Sequence, residues 1–272
     1  MRACVDIGGT KVAVSLSASS DAPLIGRRSE PTAKTGDNDA VALQIIRMID
    51  AICAEQKVDP ASIERVGVSS TGPFELRDGK VELATPNICG GIAGPARGLP
   101  NDWMTAVVEA PLAQRYGWVR VENDAVAALE AERHWGALQG FDHCAYVTWS
   151  TGVGVGLCVD GRALRGKNGN AGHAGHSFVA DDGSGALCGC GNIGDVEALV
   201  AGNSIDRRFG RRRLRIFLAW SDCKVFNQPL QLHQAGGHSG AVGLLRLKLL
   251  VDRSPLAIRG ELHQAPAIGV FG

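Results

Sequence analysis

Two separate segments of the chain repeat one local pattern, and this repetition constrains the fold more than any other feature. DIGGTKVAV, at residues 6–14, and WSTGVGVGL, at residues 149–157, each read as a strand, a glycine-rich turn and a second strand. Each segment therefore predicts a β-hairpin. Two hairpins of one design indicate a duplicated, two-lobed α/β fold. A chain of 272 residues is long enough for two lobes with cores of their own.

The composition is that of a globular protein and excludes several classes of partner. Apolar residues make up 45% of the chain, charged residues 21%, and the formal net charge is zero. A neutral chain has no general attraction for nucleic acid or an acidic membrane, so we expect neither as a partner. No apolar run reaches transmembrane length, and MRACVDIGG lacks the apolar core of a signal peptide. We therefore expect a cytoplasmic protein.

Strand and helix patterns alternate between the two hairpins. Residues 39–56 predict a helix, because Val41, Ile45, Ile49 and Ile52 recur at helical spacing. The other predicted elements are a strand at residues 65–69, a helix at residues 103–116, a strand at residues 118–124 and a helix at residues 125–136.

The two glycine turns are candidates for phosphate binding. Glycines allow several backbone N–H groups to point into one concavity, which suits phosphate oxygens, and Thr10 and Lys11 add further donors. Neither turn is a Walker loop, and the second lacks the third glycine of a dinucleotide fingerprint, since Leu157 stands in its place. Two ordinary hairpins are the alternative, but their matching strand contexts favour phosphate binding.

Two polar residues, Asn123 and Asp124, stand where a predicted strand gives way to a predicted helix. The residue types alone favour Asp124 as a helix N-cap, which accepts hydrogen bonds from the free N–H groups of the first turn. The functional alternative is a general base that accepts the proton of an alcohol while its oxygen attacks phosphorus. Without further evidence the N-cap is the favoured interpretation, and the general base is the alternative.

The segment at residues 168–199 contains candidate metal ligands in NGNAGHAGHSFVADDGSGALCGCGNIGDVEAL. His173, His176, Cys188 and Cys190 provide imidazole and thiol groups, and a Cys-x-Cys pair in a glycine-rich loop after a histidine favours a metal site. Free loop thiols are the alternative. The remaining cysteines are mostly isolated in apolar strands, where free thiols behave as small apolar side chains.

Taken in order, these segments resemble the ROK family of sugar kinases and related repressors over residues 1–209. The resemblance rests on DIGGTK, on STGPF with G-K-V-x-x-A-T-P-N, on VENDA, on STGVGVG, and on G-H followed by C-x-C-G-x-x-G-x-x-E. It implies an α/β, two-lobed, actin-like (ribonuclease H-like) ATPase fold. The expected N-terminal lobe covers residues 1–121, and the expected C-terminal lobe with the zinc and sugar loop covers residues 122–209.

The resemblance also implies a reaction and a set of site residues. The reaction is phosphorylation of a hexose or N-acylhexosamine at its 6-hydroxyl by ATP with Mg²⁺, with Asp124 as the catalytic base and a structural Zn²⁺. The implied sugar ligands are Asn123, His173, His176, Glu197, Gly72 and Asn87. The implied nucleotide and magnesium site consists of Asp6, Gly8, Gly9, Thr10, Lys11, Thr151 and Gly152. The implied zinc ligands are His176, Cys188, Cys190 and Asp195.

Two positions depart from the family pattern. His173 stands where the family has glutamate, and a neutral imidazole accepts one hydrogen bond and donates one where a carboxylate accepts two. Asp195 stands where the family has a third cysteine; its carboxylate can still bind zinc, although loss of a thiolate should weaken the site. The alternative for Asp195 is an N-cap of the helix that follows it.

Residues 210–272 differ in character from the rest of the chain. From Arg211 onward there are nine Lys and Arg residues against three Asp and Glu, a net charge of +6. The family's glycine turn against adenosine is missing there, so we hypothesise a frameshift near Arg211 and an incomplete C-terminal lobe. A genuine but divergent terminus is the alternative to the frameshift. A sugar-binding pseudokinase or an inactive remnant is therefore the alternative to a kinase. A ROK repressor is less favoured, because DIGGTK begins at residue 6 and leaves no room for a DNA-binding domain. The family also implies a homodimer.

Overall fold

The computed structural model describes residues 1–180, 185–202 and 204. The first lobe is built on a five-stranded sheet in the order β3-β2-β1-β4-β8. Its strands are β1 (Arg2–Ile7), β2 (Lys11–Ser17), β3 (Ile25–Pro31), β4 (Arg65–Ser70) and β8 (Trp118–Asn123). The first three strands pair antiparallel, whereas β4 and β8 run parallel to β1, so their carboxyl ends meet at one edge of the sheet.

One long helix, α1 (Ala40–Gln56), packs its apolar stripe against this sheet. Val41, Ile45, Ile49 and Ile52 are fully buried, which confirms the stripe predicted from their spacing. Their burial with strand residues forms the main core of the lobe, and burying each such side chain contributes roughly 1.5–3 kcal/mol.

A small second sheet carries the segment that leads to the candidate site. Its strands, in the order β5-β6-β7, are β5 (Phe74–Arg77), β6 (Lys80–Leu83) and β7 (Ala106–Val107). Between β6 and β7 lie the short helix α2 (Gly90–Ala93) and a 3-10 turn at Pro95–Arg97. The predicted helix at residues 103–116 is therefore wrong in its first half: Ala106 and Val107 pair with β6, and α3 covers only Glu109–Tyr116.

The second lobe has a three-stranded antiparallel sheet in the order β11-β10-β9. Its strands are β9 (Cys144–Trp149), β10 (Val153–Val159) and β11 (Arg162–Ala163). The helix α4 (Asp124–Trp135) follows β8 directly and buries Val126 and Leu129 with Tyr146 and Cys158 of this sheet. Both predicted glycine hairpins are confirmed, β1 pairing with β2 and β9 with β10.

The chain then leaves the second sheet for the loop that carries the candidate metal ligands. A 3-10 turn at Ala174–His176 precedes Cys188 and Cys190, and the short helix α5 (Val196–Val200) follows them. Within the part of the chain that the structure describes, no helix combines the length and the apolar character needed to cross a membrane. The predicted atypical tail at residues 210–272 lies outside the described residues.

Candidate functional site

The junction of β8 and α4 presents Asp124 at the carboxyl edge of the first sheet. Asn123 is the N-cap of α4: its Oδ1 accepts hydrogen bonds from the N–H groups of Ala125 at 3.0 Å and Val126 at 3.3 Å. Asp124 is the first helical residue, and its Oδ1 accepts one bond from Ala125 at 2.8 Å. The capping role therefore falls mainly on Asn123, which leaves the second carboxylate oxygen of Asp124 free of the cap.

The carboxyl group of Asp124 has a raised pKa. Its surface reaches solvent, but the surrounding protein atoms desolvate it and raise its pKa to about 6. Two backbone N–H groups oppose this shift, and the negative charge of Asp6 adds to it. Asp6 also has a raised pKa, because desolvation outweighs the nearby charges of Lys11 and Arg27. Two carboxylates close enough to influence each other's pKa form an environment that favours a bound cation.

The first glycine turn packs closely against Asn87. The turn closes through a bond from the N–H of Gly8 to the carbonyl of Lys11 at 2.9 Å. Thr32 supports it, because its hydroxyl donates to the carbonyl of Gly8 at 2.7 Å. A Cβ atom added at Gly9 would lie 2.6 Å from the Cβ of Asn87, so this position has no room for any side chain.

Substitution of this glycine should therefore disturb both the turn and Asn87. We expect Gly9→Ala to lower the free energy of unfolding by about 1–3 kcal/mol through overpacking. Gly8→Ala is the matched control: its added Cβ would meet the carbonyl oxygen of Lys11 at 3.3 Å and should cost less. Urea denaturation followed by circular dichroism measures both, and equal stabilities would contradict the expected clash.

Gly72, His173 and Asn123 come together beside Asp124. A Cβ atom at Gly72 would lie 2.7 Å from Nε2 of His173 and 3.5 Å from Nδ2 of Asn123. The Nε2 atom of His173 is buried and has no hydrogen-bond partner among the described residues. Burial lowers the pKa of His173, and the nearby His176 lowers it further. A neutral imidazole with an unsatisfied nitrogen is therefore available to a polar ligand beside Gly72 and Asn123.

Glu197 connects the second glycine turn to the candidate metal cluster. Its Oε2 accepts a hydrogen bond from the N–H of Val153 at 2.9 Å, and its Oε1 lies 3.7 Å from Sγ of Cys188. A Cβ atom at Gly152 would meet the same carboxylate at 2.6 Å. Thr151 lies exposed at the tip of this turn, as Thr10 does at the tip of the first.

His176, Cys188, Cys190 and Asp195 form the predicted cluster of potential metal ligands. One ligand atom from each residue lies within 4.8 Å of all the others. Nδ1 of His176 is 3.3 Å from Oδ2 of Asp195 and 3.6 Å from Sγ of Cys188, and Sγ of Cys190 is 3.5 Å from the same Oδ2. Tetrahedral zinc separates its ligand atoms by roughly 3.3–3.8 Å, as its bond lengths require. The four residues therefore fit a zinc ion.

Asp195 combines the two roles that the sequence left as alternatives. Its Oδ1 caps α5 by accepting from the N–H of Ala198 at 2.6 Å, while its Oδ2 faces His176 and Cys190. Burial acts to raise its pKa, but the hydrogen bonds from Ala198 and the cluster side chains outweigh burial and lower it. Capping and metal binding thus use different oxygens and do not exclude each other.

Three residues at the site were absent from the sequence prediction. Thr32 supports the first glycine turn, and Arg27 adds positive charge near Asp6. Arg97 contacts both Asn87 and the turn between the two cluster cysteines. No local pattern in the sequence identifies them, because each acts through partners that are distant along the chain.

Comparison with known proteins identifies the class to which this fold and site belong. The model of the ROK family matches residues 2–231, so the chain belongs to the ROK family. The chain has the two-lobed, actin-like (ribonuclease H-like) α/β fold of that family, as predicted. The family match continues beyond residue 209, where we expected the resemblance to end, so the hypothesis of a frameshift near Arg211 stays a prediction.

Several relatives are similar over most of this chain. A glucokinase from Aeropyrum pernix is 32% identical over 203 residues, which are 75% of this chain and 57% of the relative. An N-acetylmannosamine kinase from Escherichia coli O157:H7 is 34% identical over 207 residues, 74% of this chain and 61% of the relative. A ROK glucokinase from Streptomyces griseus, solved with glucose and AMPPNP, superposes with a TM-score of 0.55 at 31% identity, covering 76% of this chain and 59% of its own. The chain thus spans about three fifths of the length of these proteins.

Proposed function

We propose that this protein transfers the γ-phosphoryl group of ATP to the 6-hydroxyl of a hexose or N-acylhexosamine. The observation that carries the proposal is Asp124, which has a pKa of about 6 and lies at the carboxyl edge of the first sheet near Asp6, with Asn123 beside it. The activities named for the relatives, glucokinase and N-acetylmannosamine kinase, support the same reaction.

Asp124 acts as the general base of this reaction. Its ionised carboxylate accepts the proton of the 6-hydroxyl while that oxygen bonds to phosphorus and the bond to the bridging oxygen of the leaving ADP breaks. A pKa of about 6 leaves the group ionised near neutral pH, yet makes it more basic than an ordinary aspartate. The N-cap held by Asn123 fixes the helix end from which Asp124 projects.

The glycine turns hold the nucleotide phosphates. The N–H groups of Gly9 and Gly152, with Thr10 and Thr151, supply donors, and Lys11 adds positive charge. The N–H of Gly8 closes the first turn and so keeps the neighbouring donors in place. Asp6 lies near the site that would hold Mg²⁺, which neutralises charge on the phosphates when bound. The raised pKa of Asp6 is the signature of a carboxylate that a cation would stabilise in its ionised form.

The sugar lies against Gly72, Asn87, Asn123, His173, His176 and Glu197. Two of these residues, His176 and Glu197, are carried by the loop and helix around the metal cluster. A zinc ion held by His176, Cys188, Cys190 and Asp195 is structural: it lowers the entropy cost of ordering this loop, so that its side chains are in place before the sugar arrives.

The raised pKa of Asp124 predicts a pH dependence of catalysis. A base is active only when ionised, so we expect kcat/KM for the sugar to fall about tenfold per pH unit below about pH 6 and to level off above it. The measurement holds the concentration of MgATP constant at each pH, so that titration of ATP itself does not enter. A profile that stays flat to about pH 5 would remove Asp124 as the base.

A coupled ATP-consumption assay over a panel of sugars tests the proposal as a whole. Glucose and N-acetylmannosamine are the first substrates to try, and calorimetry on the same samples measures sugar binding. Turnover of any hexose or N-acylhexosamine supports a kinase. Sugar binding without turnover would instead indicate a sugar-binding pseudokinase, and absence of both would contradict the proposed function.

A further inference from the structure

The loop between β6 and β7 has a firmly anchored base. Asn101 holds both of its ends: Oδ1 accepts from the N–H of Gly90 at 2.7 Å, and Nδ2 donates to the carbonyls of Ile88 at 3.1 Å and Lys34 at 2.9 Å. Trp103 adds a backbone contact, since its carbonyl accepts from the N–H of Gly91 at 2.9 Å. A loop held in this way can present a side chain at its tip in a defined place.

Arg97 is that side chain, and its guanidinium contacts two separate parts of the candidate site. Nη1 donates to Oδ1 of Asn87 and lies 3.5 Å from the carbonyl of Pro86. Nη2 donates to the carbonyl of Gly189 at 3.4 Å. The 3-10 turn that ends at Arg97 is flanked by Gly94 and Gly98, whose positive φ angles of 68° and 57° let the chain reverse direction on either side.

The contact with Asn87 orients its amide. A guanidinium has only donors, so the atom of Asn87 that faces it is the oxygen, and Nδ2 is left to donate to another partner. The Cβ atom of Asn87 is fixed on its other side by the close approach of Gly9. Arg97 therefore presents Asn87 as a hydrogen-bond donor beside the first glycine turn.

The contact with Gly189 holds the turn between the two cluster cysteines. Gly189 lies between Cys188 and Cys190, and this turn also closes through the N–H of Gly191, which donates to the carbonyl of Cys188 at 3.1 Å. One side chain thus joins a proposed sugar ligand to the backbone that spaces two proposed zinc ligands.

We propose that Arg97 is a positioning residue that mechanically couples the zinc cluster to Asn87 and so to the sugar. The role of Asn87 as a sugar ligand rests on the proposed function, whereas the contact of Arg97 with the turn at Gly189 does not. Coupling between two sites is reciprocal, so sugar should lower the Kd for zinc by the same factor as zinc lowers the Kd for the sugar.

The rate of zinc release from the whole 272-residue chain to a chromogenic chelator tests whether Arg97 stabilises the cysteine turn. We expect Arg97→Ala to release zinc about threefold to tenfold faster than the wild type, as loss of charge-assisted hydrogen bonds at an exposed site implies. Arg97→Lys should lie in between, because a single ammonium group reaches one partner at a time. Arg115→Ala is the control, since that exposed arginine pairs with Asp50, away from the cluster.

Calorimetry of sugar binding tests the coupling. In the zinc-loaded protein Arg97→Ala should raise the sugar Kd about tenfold, and in the zinc-free protein it should raise Kd clearly less, because the cysteine turn no longer has a fixed position and only the direct contact with Asn87 remains to be lost. Melting temperatures should match the wild type and exclude a general loss of structure.

The outcomes separate this proposal from the proposed function. If the wild type binds no sugar, the proposed function fails, and the zinc-release rates still decide whether Arg97 holds the cluster. Unchanged zinc release in Arg97→Ala, equal weakening of sugar binding with and without zinc, or a wild type that binds no zinc would each overturn the proposal.

Discussion

Asp124→Asn is expected to lower kcat about 10²-fold to 10⁴-fold while leaving sugar affinity unchanged. This is the usual contribution of a positioned general base. Asparagine has nearly the same shape and keeps an oxygen that can accept from the N–H of Ala125, so the end of α4 should stay intact. Steady-state kinetics and calorimetric titration with the sugar measure the two quantities on the same preparation.

A matched control and a stability measurement make this prediction specific. Asp160→Asn changes an exposed aspartate in the turn between β10 and β11, whose positive φ of 50° asparagine tolerates, and it should leave kcat unchanged.

The folded-state pKa of Asp124 is raised, so its ionised form destabilises the fold above about pH 6. Asp124→Asn should therefore melt at a higher temperature at pH 8, by a margin that shrinks as the pH falls below about 6. Wild-type turnover in Asp124→Asn would contradict its role as the base.

Cys188→Ser is expected to abolish zinc binding and to weaken sugar binding about tenfold to a hundredfold. The hydroxyl of serine does not replace a thiolate as a zinc ligand, and without the ion the side chains of His176 and Glu197 must be ordered at the moment the sugar binds. Cys188 is buried, and desolvation raises its thiol pKa to about 12, so the thiolate form depends on a nearby cation. Metal analysis by mass spectrometry and calorimetry test the two losses together.

The comparison for this variant is Cys144→Ser, which changes a half-buried thiol on β9 outside the cluster. It should keep both zinc and sugar affinity. Wild-type protein stripped with a chelator should behave like Cys188→Ser and recover when zinc is restored. A Cys188→Ser protein that lacks metal and yet binds sugar with normal affinity would rule out a supporting role for the ion.

Local patterns predicted the elements that carry most of the site. The stripe of α1, the two glycine hairpins and the β8–α4 junction follow from periodicity and turn chemistry within each segment. The helix predicted from residue 103 failed because pairing with β6 draws Ala106 and Val107 into a strand, and such pairing is not visible within the segment itself.

The contacts that organise the site could not be predicted from the sequence, because they also join segments that are distant along the chain. Arg97 has partners 10 and 92 residues away along the chain, so neither contact leaves a local signal. The sequence also does not show which of two adjacent polar residues caps a helix. The N-cap of α4 is mainly Asn123, although Asp124 could have served equally well by residue type. The positions of the side-chain oxygen atoms show which residue caps the helix.

Because its two oxygens have different partners, a substitution of Asp195 would act on two parts of the structure at once. A cysteine there would supply a stronger ligand but could not cap α5 in the same way, and a serine would cap the helix but bind zinc poorly. Because α5 carries Glu197, whose carboxylate accepts from the N–H of Val153 beside the second glycine turn, a change at Asp195 would affect the proposed zinc site, then α5, and then the proposed phosphate-binding turn.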